Sequence, residues 1–196
     1  MFRELVEKNR SYRGYDESVR VSKDDLLEFV DLTRYVASSV NMQPLKYYIC
    51  YEKEKVDALQ KLTKWARALP ELDLPYPGMR PTAFIVICQD TSINSNLNRF
   101  LRDIGAVAQT MLLAAVERGF GGCMIGNFDK GDVKSLLGLD ENLEPNLIVA
   151  FGKPDEEIVI TDIKEDGDTN YYRDATGRVH YVPKRSLEEI VLNNNQ

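Results

Sequence analysis

Histidine is nearly absent from the chain: His180 is the single one in 196 residues. One histidine cannot build a multi-histidine metal site, so no metal is expected and His180 is assigned a structural role. Cysteine is scarce too. Cys50, Cys88 and Cys123 lie far apart, each in or beside an apolar run, and no C-x-x-C pair occurs. Zinc knuckles and dithiol redox sites are therefore not supported, and buried free thiols in a reducing compartment are the expectation. The chain also lacks a G-x-S-x-G elbow, a G-x-x-x-x-G-K-[ST] loop and a G-x-G-x-x-G opening a helix. Serine-hydrolase, P-loop and Rossmann chemistry lose their usual signatures. Basic charge is not in excess, since 25 Lys and Arg stand against 31 Asp and Glu for a net charge of −6. A nucleic-acid or anionic-membrane partner would need a basic face, so neither is expected. No apolar run approaches membrane-spanning length, and MFRELVEKNR has no apolar signal core. A cytoplasmic location follows as the expectation. Carboxylates at Asp24-Asp25 and Asp155-Glu156-Glu157 fall in surface-like stretches and read as solvated faces. No protein nucleophile or acid–base pair stands out and no catalytic side chain is assigned; a cofactor would have to carry any reaction.

What is present suits one domain over residues 1–196, with 43% hydrophobic and 29% charged residues. Phe2, Leu5 and Val6 have helical spacing, and Ser22 reads as the N-cap of a helix through Leu26, Phe29, Val30 and Val36. YYICY (47–51), TAFIVIC (82–88) and NLIVAFG (146–152) read as strands, and Val56, Leu59, Leu62 and Ala66 mark a helix between the first two. The strongest period runs from Leu97 through Phe100, Ile104, Val107, Ala108, Met111 and Leu112 to Ala115, a helix rich in small residues that suits a core or a subunit interface. Gly119 suits its C-cap, and Asp129 and Gly138 bound a shorter helix. YYRD-ATG-RVHYV (171–182) reads as a hairpin and KRSLEEIVL as a short tail. Helices outnumber strands by this reading, and the class is α+β or α/β. The proline-rich stretch 70–81, with Tyr76 and Met79, is a loop that could cover a site.

Near the start, NRSYRGY sets Arg10, Ser11 and Arg13 within four positions. An arginine fork with a hydroxyl suits phosphate oxygens, and a solvated turn is the plain alternative. Three further segments join it. NRSYR (9–13) resembles the R-R-S-x-R element of FMN-dependent nitroreductases, SSVNMQP (38–44) their P-S-x-x-N-x-Q-P loop, and GFGGCMIGNF (119–128) their G-L-G-T-C-x-I-G-x-F segment. VPKRSLEEIV (182–191) is similar to their C-terminal K/R-R-x-L-x-E segment. With four segments in order over nearly the whole chain, the protein is identified as a member of the nitroreductase family.

The resemblance implies a nitroreductase-like α+β fold: a central mixed or antiparallel sheet flanked by helices, in an intertwined homodimer with FMN at the subunit interface. It implies an NAD(P)H oxidoreductase passing hydride through flavin N5 to a small electrophilic acceptor such as a nitroaromatic or a quinone. A flavin-binding or sensing module without turnover, or a flavin enzyme with oxygen-dependent or dehalogenating chemistry, is the alternative. Carried over by position, Arg10 and Ser11 would face the FMN phosphate and Arg13 the pyrimidine end of the ring. Ser38, Ser39 and Asn41 would offer contacts to the ring from the partner or from the same wall, with Gln43 fixing their loop. Met124, Ile125 and Gly126 would lie along the flavin, and Arg185, with Lys184, would close on the phosphate. The first family arginine is Asn9 here and the Q-P-W tryptophan is Leu45. Phosphate binding would then rest more on Arg10 and Arg185.

Overall fold

Alternation of apolar side chains across one long antiparallel ladder organises the larger part of the protein. The structure is a computed structural model and describes residues 1–165 and 167–193. In chain order it contains α1 (Phe2–Lys8), β1 (Tyr15–Asp16), α2 (Lys23–Thr33), a 3-10 turn at Ser39–Asn41, β2 (Leu45–Cys50), α3 (Lys53–Leu62) and β3 (Ala83–Asp90). There follow α4 (Leu101–Glu117), β4 (Gly121–Ile125), α5 (Lys130–Leu137) and β5 (Leu143–Pro154). The chain closes with β6 (Glu157–Asp162), β7 (Tyr172–Arg173), β8 (Val179–Lys184) and α6 (Leu187–Ile190). It divides into two compact units: Met1–Trp65 with Asp73–Asp155, and Ala66–Leu72 with the chain from Glu156.

The first unit holds a five-stranded antiparallel sheet. β5 is its longest strand; it pairs with β3 on one edge, β3 pairs with β2, and the other edge of β5 is shared by β4 and β1. Side chains alternate across it. Ile85, Ile87, Val149 and Phe151 face α2 and α4, packing with Leu26, Phe29, Val107 and Met111. Phe84, Val86, Ile148 and Ala150 face α3 and α5, packing with Val56, Leu59, Val133 and Leu137. Helices cover both faces, which is why TAFIVIC and NLIVAFG are continuous apolar runs rather than alternating ones. Cys50 and Cys88 sit in the second cluster as free thiols, and burial pushes both up to about 12.

Local sequence explains the helix ends. Ser22 accepts from the Asp25 N–H at 3.1 Å, closing a capping box, and Asp129 accepts from the Asp132 N–H at 2.9 Å. Gly119 and Gly138 take left-handed φ of 77° and 61° after α4 and α5. Val36 and Ala66 lie beyond the helices the spacing assigned them to, because α2 stops at Thr33 and α3 at Leu62.

The second unit holds a three-stranded sheet in which β6 runs parallel and β7 antiparallel to β8. The hairpin expected over 171–182 is the β7–β8 pair. Two expectations are corrected. Strands outnumber helices among the described residues, eight against six α-helices, because β1, β4 and β6 are short or interrupted by glycine and show no long period. Glu156 does not belong to a solvated face. Its side chain is 0% exposed and paired with Arg173, itself 3% exposed, whose Nη1 also donates to the Gly177 carbonyl. His180 is buried with its ring 5.0 Å from that of Tyr171. No helix among the described residues is long and apolar enough to cross a membrane.

Candidate functional site

After α1, Asn9 turns the backbone out of the helix into an extended conformation, with its N–H still donating to Leu5 at 2.9 Å. The chain then runs along β4. Ser11 pairs with Gly122 as an isolated parallel bridge, and the Tyr12 N–H donates to the Gly122 carbonyl at 3.1 Å. Glycine is required at this contact. A Cβ on Gly121 would run into the Tyr12 ring, and one on Gly122 into the Ala150 carbonyl and the Leu112 side chain. The glycines of GFGG thus let the Arg10–Arg13 segment approach the sheet edge. Gly126, at the far end of β4, is exposed and has open space where a Cβ would stand.

Arg10 is half-buried on this segment. Its Nη2 donates to the Val6 carbonyl at 2.6 Å, while its buried Nε has no hydrogen-bond partner among the described residues. A buried guanidinium N–H without an acceptor is costly, and an anion reaching it would remove that cost. Arg13 folds back so that its Nη1 donates to the Ser11 carbonyl at 3.0 Å, and the Ser11 side chain is exposed. Tyr12 and Tyr15 brace the turn through hydroxyl bonds to the carbonyls of Lys8 at 3.0 Å and Tyr12 at 2.7 Å.

The SSVNMQP segment is a tight loop ahead of β2. Val40, Asn41 and Gln43 take left-handed φ of 48°, 52° and 50°. One buried carboxylate holds its start: Asp103 Oδ2, in the first turn of α4, accepts from Ser38 Oγ at 2.7 Å and from the Ser39 N–H at 2.9 Å. Ser38 Oγ in turn accepts from the Gln43 N–H at 3.1 Å. Gln43 Nε2 donates to Asn41 Oδ1 at 3.0 Å and to its carbonyl at 3.2 Å. Burial raises the Tyr47 hydroxyl above its usual value, a hydrogen bond with Thr33 opposes this, and the charge of Asp103 adds to the rise.

Asp103 did not emerge from the sequence reading. The signal is visible in hindsight: an aspartate lies on the Phe100, Val107, Met111 stripe of an otherwise apolar helix face and is 7% exposed. Ser38 and Ser39 meet α4 at Asp103, and Gly122, the partner of Ser11 and Tyr12, lies against the same helix at Leu112, nine residues or about 13.5 Å further along its axis at ~1.5 Å per residue.

On β4, Met124 is half-buried against the α2 and α4 side, and Ile125 is buried on the other. Lys184 and Arg185 belong to the second unit. Lys184 ends β8 opposite Asp162, and Arg185 Nη1 meets Glu189 Oε1 at 3.2 Å. Ser186 caps α6, and its hydroxyl and the Glu189 carboxylate form a capping box, which gives the K-R-S-L-E-E segment a local helix-starting role. In the 73–81 stretch, Leu74 and Pro75 are buried, and the Met79 carbonyl accepts from the Tyr15 N–H at 3.1 Å.

A sheet covered by helices on both faces, with glycines admitting an N-terminal arginine segment to its edge, has a counterpart among known proteins. The profile of the nitroreductase family matches residues 6–74 and 77–153. The chain belongs to the nitroreductase family. It is 24% identical over 187 residues to YdgI of Bacillus subtilis, provisionally named an NAD(P)H nitroreductase, covering 80% of this chain and 90% of that one. A nitroreductase family protein of Streptococcus pneumoniae superposes with a TM-score of 0.67 at 18% identity, over 97% of this chain and 98% of the other. A structure from Exiguobacterium sibiricum, provisionally described as a nitroreductase and solved in complex with FMN, superposes with a TM-score of 0.65 at 21% identity, over 79% and 88%. These likenesses show the nitroreductase fold.

Proposed function

We propose that the protein is an FMN-dependent oxidoreductase that takes reducing equivalents from NAD(P)H and delivers them to a small electrophilic acceptor such as a nitroaromatic or a quinone. The observation that carries the reading is Arg10: a half-buried guanidinium, anchored at Nη2 by the Val6 carbonyl, with a buried Nε left without a partner. A phosphate monoester of about −1.5 to −2 charges suits that donor. The residues present therefore fit the cofactor. When bound, FMN supplies the two-electron chemistry, accepting hydride at N5.

The chain's own part is to bind, orient and shield. Arg10 and Ser11 hold the phosphate, each charge-assisted bond contributing roughly 1.5–3 kcal/mol. Arg13 offers positive charge toward the pyrimidine end of the ring, where negative charge accumulates on reduction. Ser38, Ser39 and Asn41 line the ring, Gln43 holds their loop, and the backbone of Met124, Ile125 and Gly126 runs beside it, the open surroundings of Gly126 allowing close approach.

A second copy of the chain completes the site in this reading. Its support is apolar surface that the chain leaves open: α1 buries none of its residues, Phe2 is 70% exposed and Leu101 54%. Gly105 and Ala106 face outward on α4, where small side chains admit close packing. Light scattering at micromolar concentration should give twice the monomer mass. Anaerobic NADH or NADPH added to the FMN-loaded protein should bleach the flavin bands, and an acceptor should restore them with ping-pong kinetics. Bands that persist under both donors would leave a flavin-binding module without turnover.

A further inference from the structure

We propose that Asp103 is a positioning residue that holds the Ser38–Gln43 loop in a strained, ligand-ready conformation. The proposal deepens the flavin reading, on which it rests for what the loop meets. Three non-glycine residues in four positions are left-handed, and one of them, Val40, is β-branched, the residue type that tolerates this region least. Such conformations persist only where the surroundings over-determine them, and they cluster at sites that must be preorganised. Burial does not hold the left-handed residues themselves: Val40 is 70% exposed, and Asn41 and Gln43 are exposed as well. Polar contacts must do it.

They converge on one oxygen. Asp103 Oδ2 accepts the Ser38 hydroxyl at 2.7 Å and the Ser39 N–H at 2.9 Å, and the same hydroxyl accepts the Gln43 N–H at 3.1 Å. A carboxylate can only accept, so the Ser38 O–H must point to Asp103, which leaves the oxygen lone pairs for Gln43. The direction of one proton thus ties the first and last residues of the loop together. Gln43 then fixes the Asn41 side chain through Nε2. The path runs from a buried carboxylate in the rigid helix α4 to the exposed amide of Asn41, and each link is a hydrogen bond of ordinary length. Asp103 touches no ligand in this scheme; it acts through Ser38.

The geometry makes the aspartate and its amide distinguishable from a simple deletion. Asp103→Asn keeps an oxygen acceptor for both donors, whereas Asp103→Ala leaves the Ser39 N–H and the Ser38 hydroxyl without one. The test measures amide hydrogen exchange in FMN-free protein and FMN affinity by fluorescence titration, for Asp103→Asn, Asp103→Ala and Ser38→Ala. Exchange at Ser39 and Gln43 should accelerate at least about tenfold in Asp103→Ala, the change that one charge-assisted hydrogen bond corresponds to. Exchange in β3 and β5 should stay at the parent rate. FMN affinity should weaken by a similar factor, with a displaced visible band, and Asp103→Asn should recover most of both. Should Asp103→Ala fail to fold, Ser38→Ala carries the same expectation with the carboxylate kept. A variant that loses thermal stability while loop exchange and FMN affinity stay at parent values would overturn the proposal, making Asp103 merely a helix-start residue. Failure of the parent itself to bind FMN would sink the flavin reading, and the exchange rates of the free protein would still decide whether Asp103 holds the loop.

Discussion

The covered sheet and the two segments that carry the polar groups, Asn9–Arg13 and Ser38–Gln43, belong to the same unit and are built on opposite principles. In the sheet, β3 is buried from Ala83 to Gln89 and paired along both edges, so nearly all its interactions are made, with Gln89 Oε1 the buried polar atom of that strand left without a partner among the described residues. In the segments, side chains are exposed or half-buried, backbone strain is held by a few hydrogen bonds, and at Arg10 a buried donor has no acceptor. Saturated regions set stability; regions with unspent capacity are where a ligand can add binding energy. The second unit shows that buried charge alone is not the mark of a site. Its Glu156–Arg173 pair is buried too, and there the two charges meet each other, although Arg173 Nε, like Arg10 Nε, has no partner among the described residues.

That contrast can be broken by substitution. Phe84→Ala removes a fully buried ring from the α3 and α5 side and should cost about 3–5 kcal/mol. At ~2–4 °C per kcal/mol, calorimetry should show a fall on the order of 10 °C. FMN affinity of the folded fraction should stay within about twofold, since the ring touches neither segment. Glu156→Gln leaves the Arg173 charge buried without its counterion and should cost about 3–5 kcal/mol by chemical denaturation. Replacing both with apolar residues of similar volume should recover most of that loss, which would confirm that the pair is structural. Arg10→Ala should act the other way round: FMN affinity falls by about 1.5–3 kcal/mol, while unfolding of the FMN-free protein changes little. Smallest of all, Lys53→Ala breaks an exposed pair with Asp57 on α3 and should shift stability by only ~0.3–0.5 kcal/mol.

The regions differ in how far a reader of the sequence could see them. β3 and β5 were legible because burial on both faces writes an unbroken apolar run, and α4 because its stripe persists for four turns. The caps at Ser22, Asp129 and Gly138 were legible because their partners lie within three or four residues. β1 and β6 were not, since a two-residue strand exists only through its pairing with β5 and EIVITD finds its partner more than twenty residues on in β8. Glu156 looked like surface because Arg173 is seventeen residues away. For the site, the segments were legible as motifs, and the reasons for their conformations were not. Ser38 and Asp103 are sixty-five residues apart, and the room that Gly121 and Gly122 make for Tyr12 and Leu112 depends on partners far away in the sequence.

The account stands or falls on flavin binding at the Arg10 segment. The most direct measurement is the visible spectrum of the purified protein after incubation with FMN and desalting, recorded in parallel for Arg10→Ala. The account predicts flavin bands near one equivalent per chain in the parent and a marked loss in the variant, whose fold is unchanged by circular dichroism. A parent protein that emerges colourless, or a variant that retains flavin as well as the parent does, would contradict it.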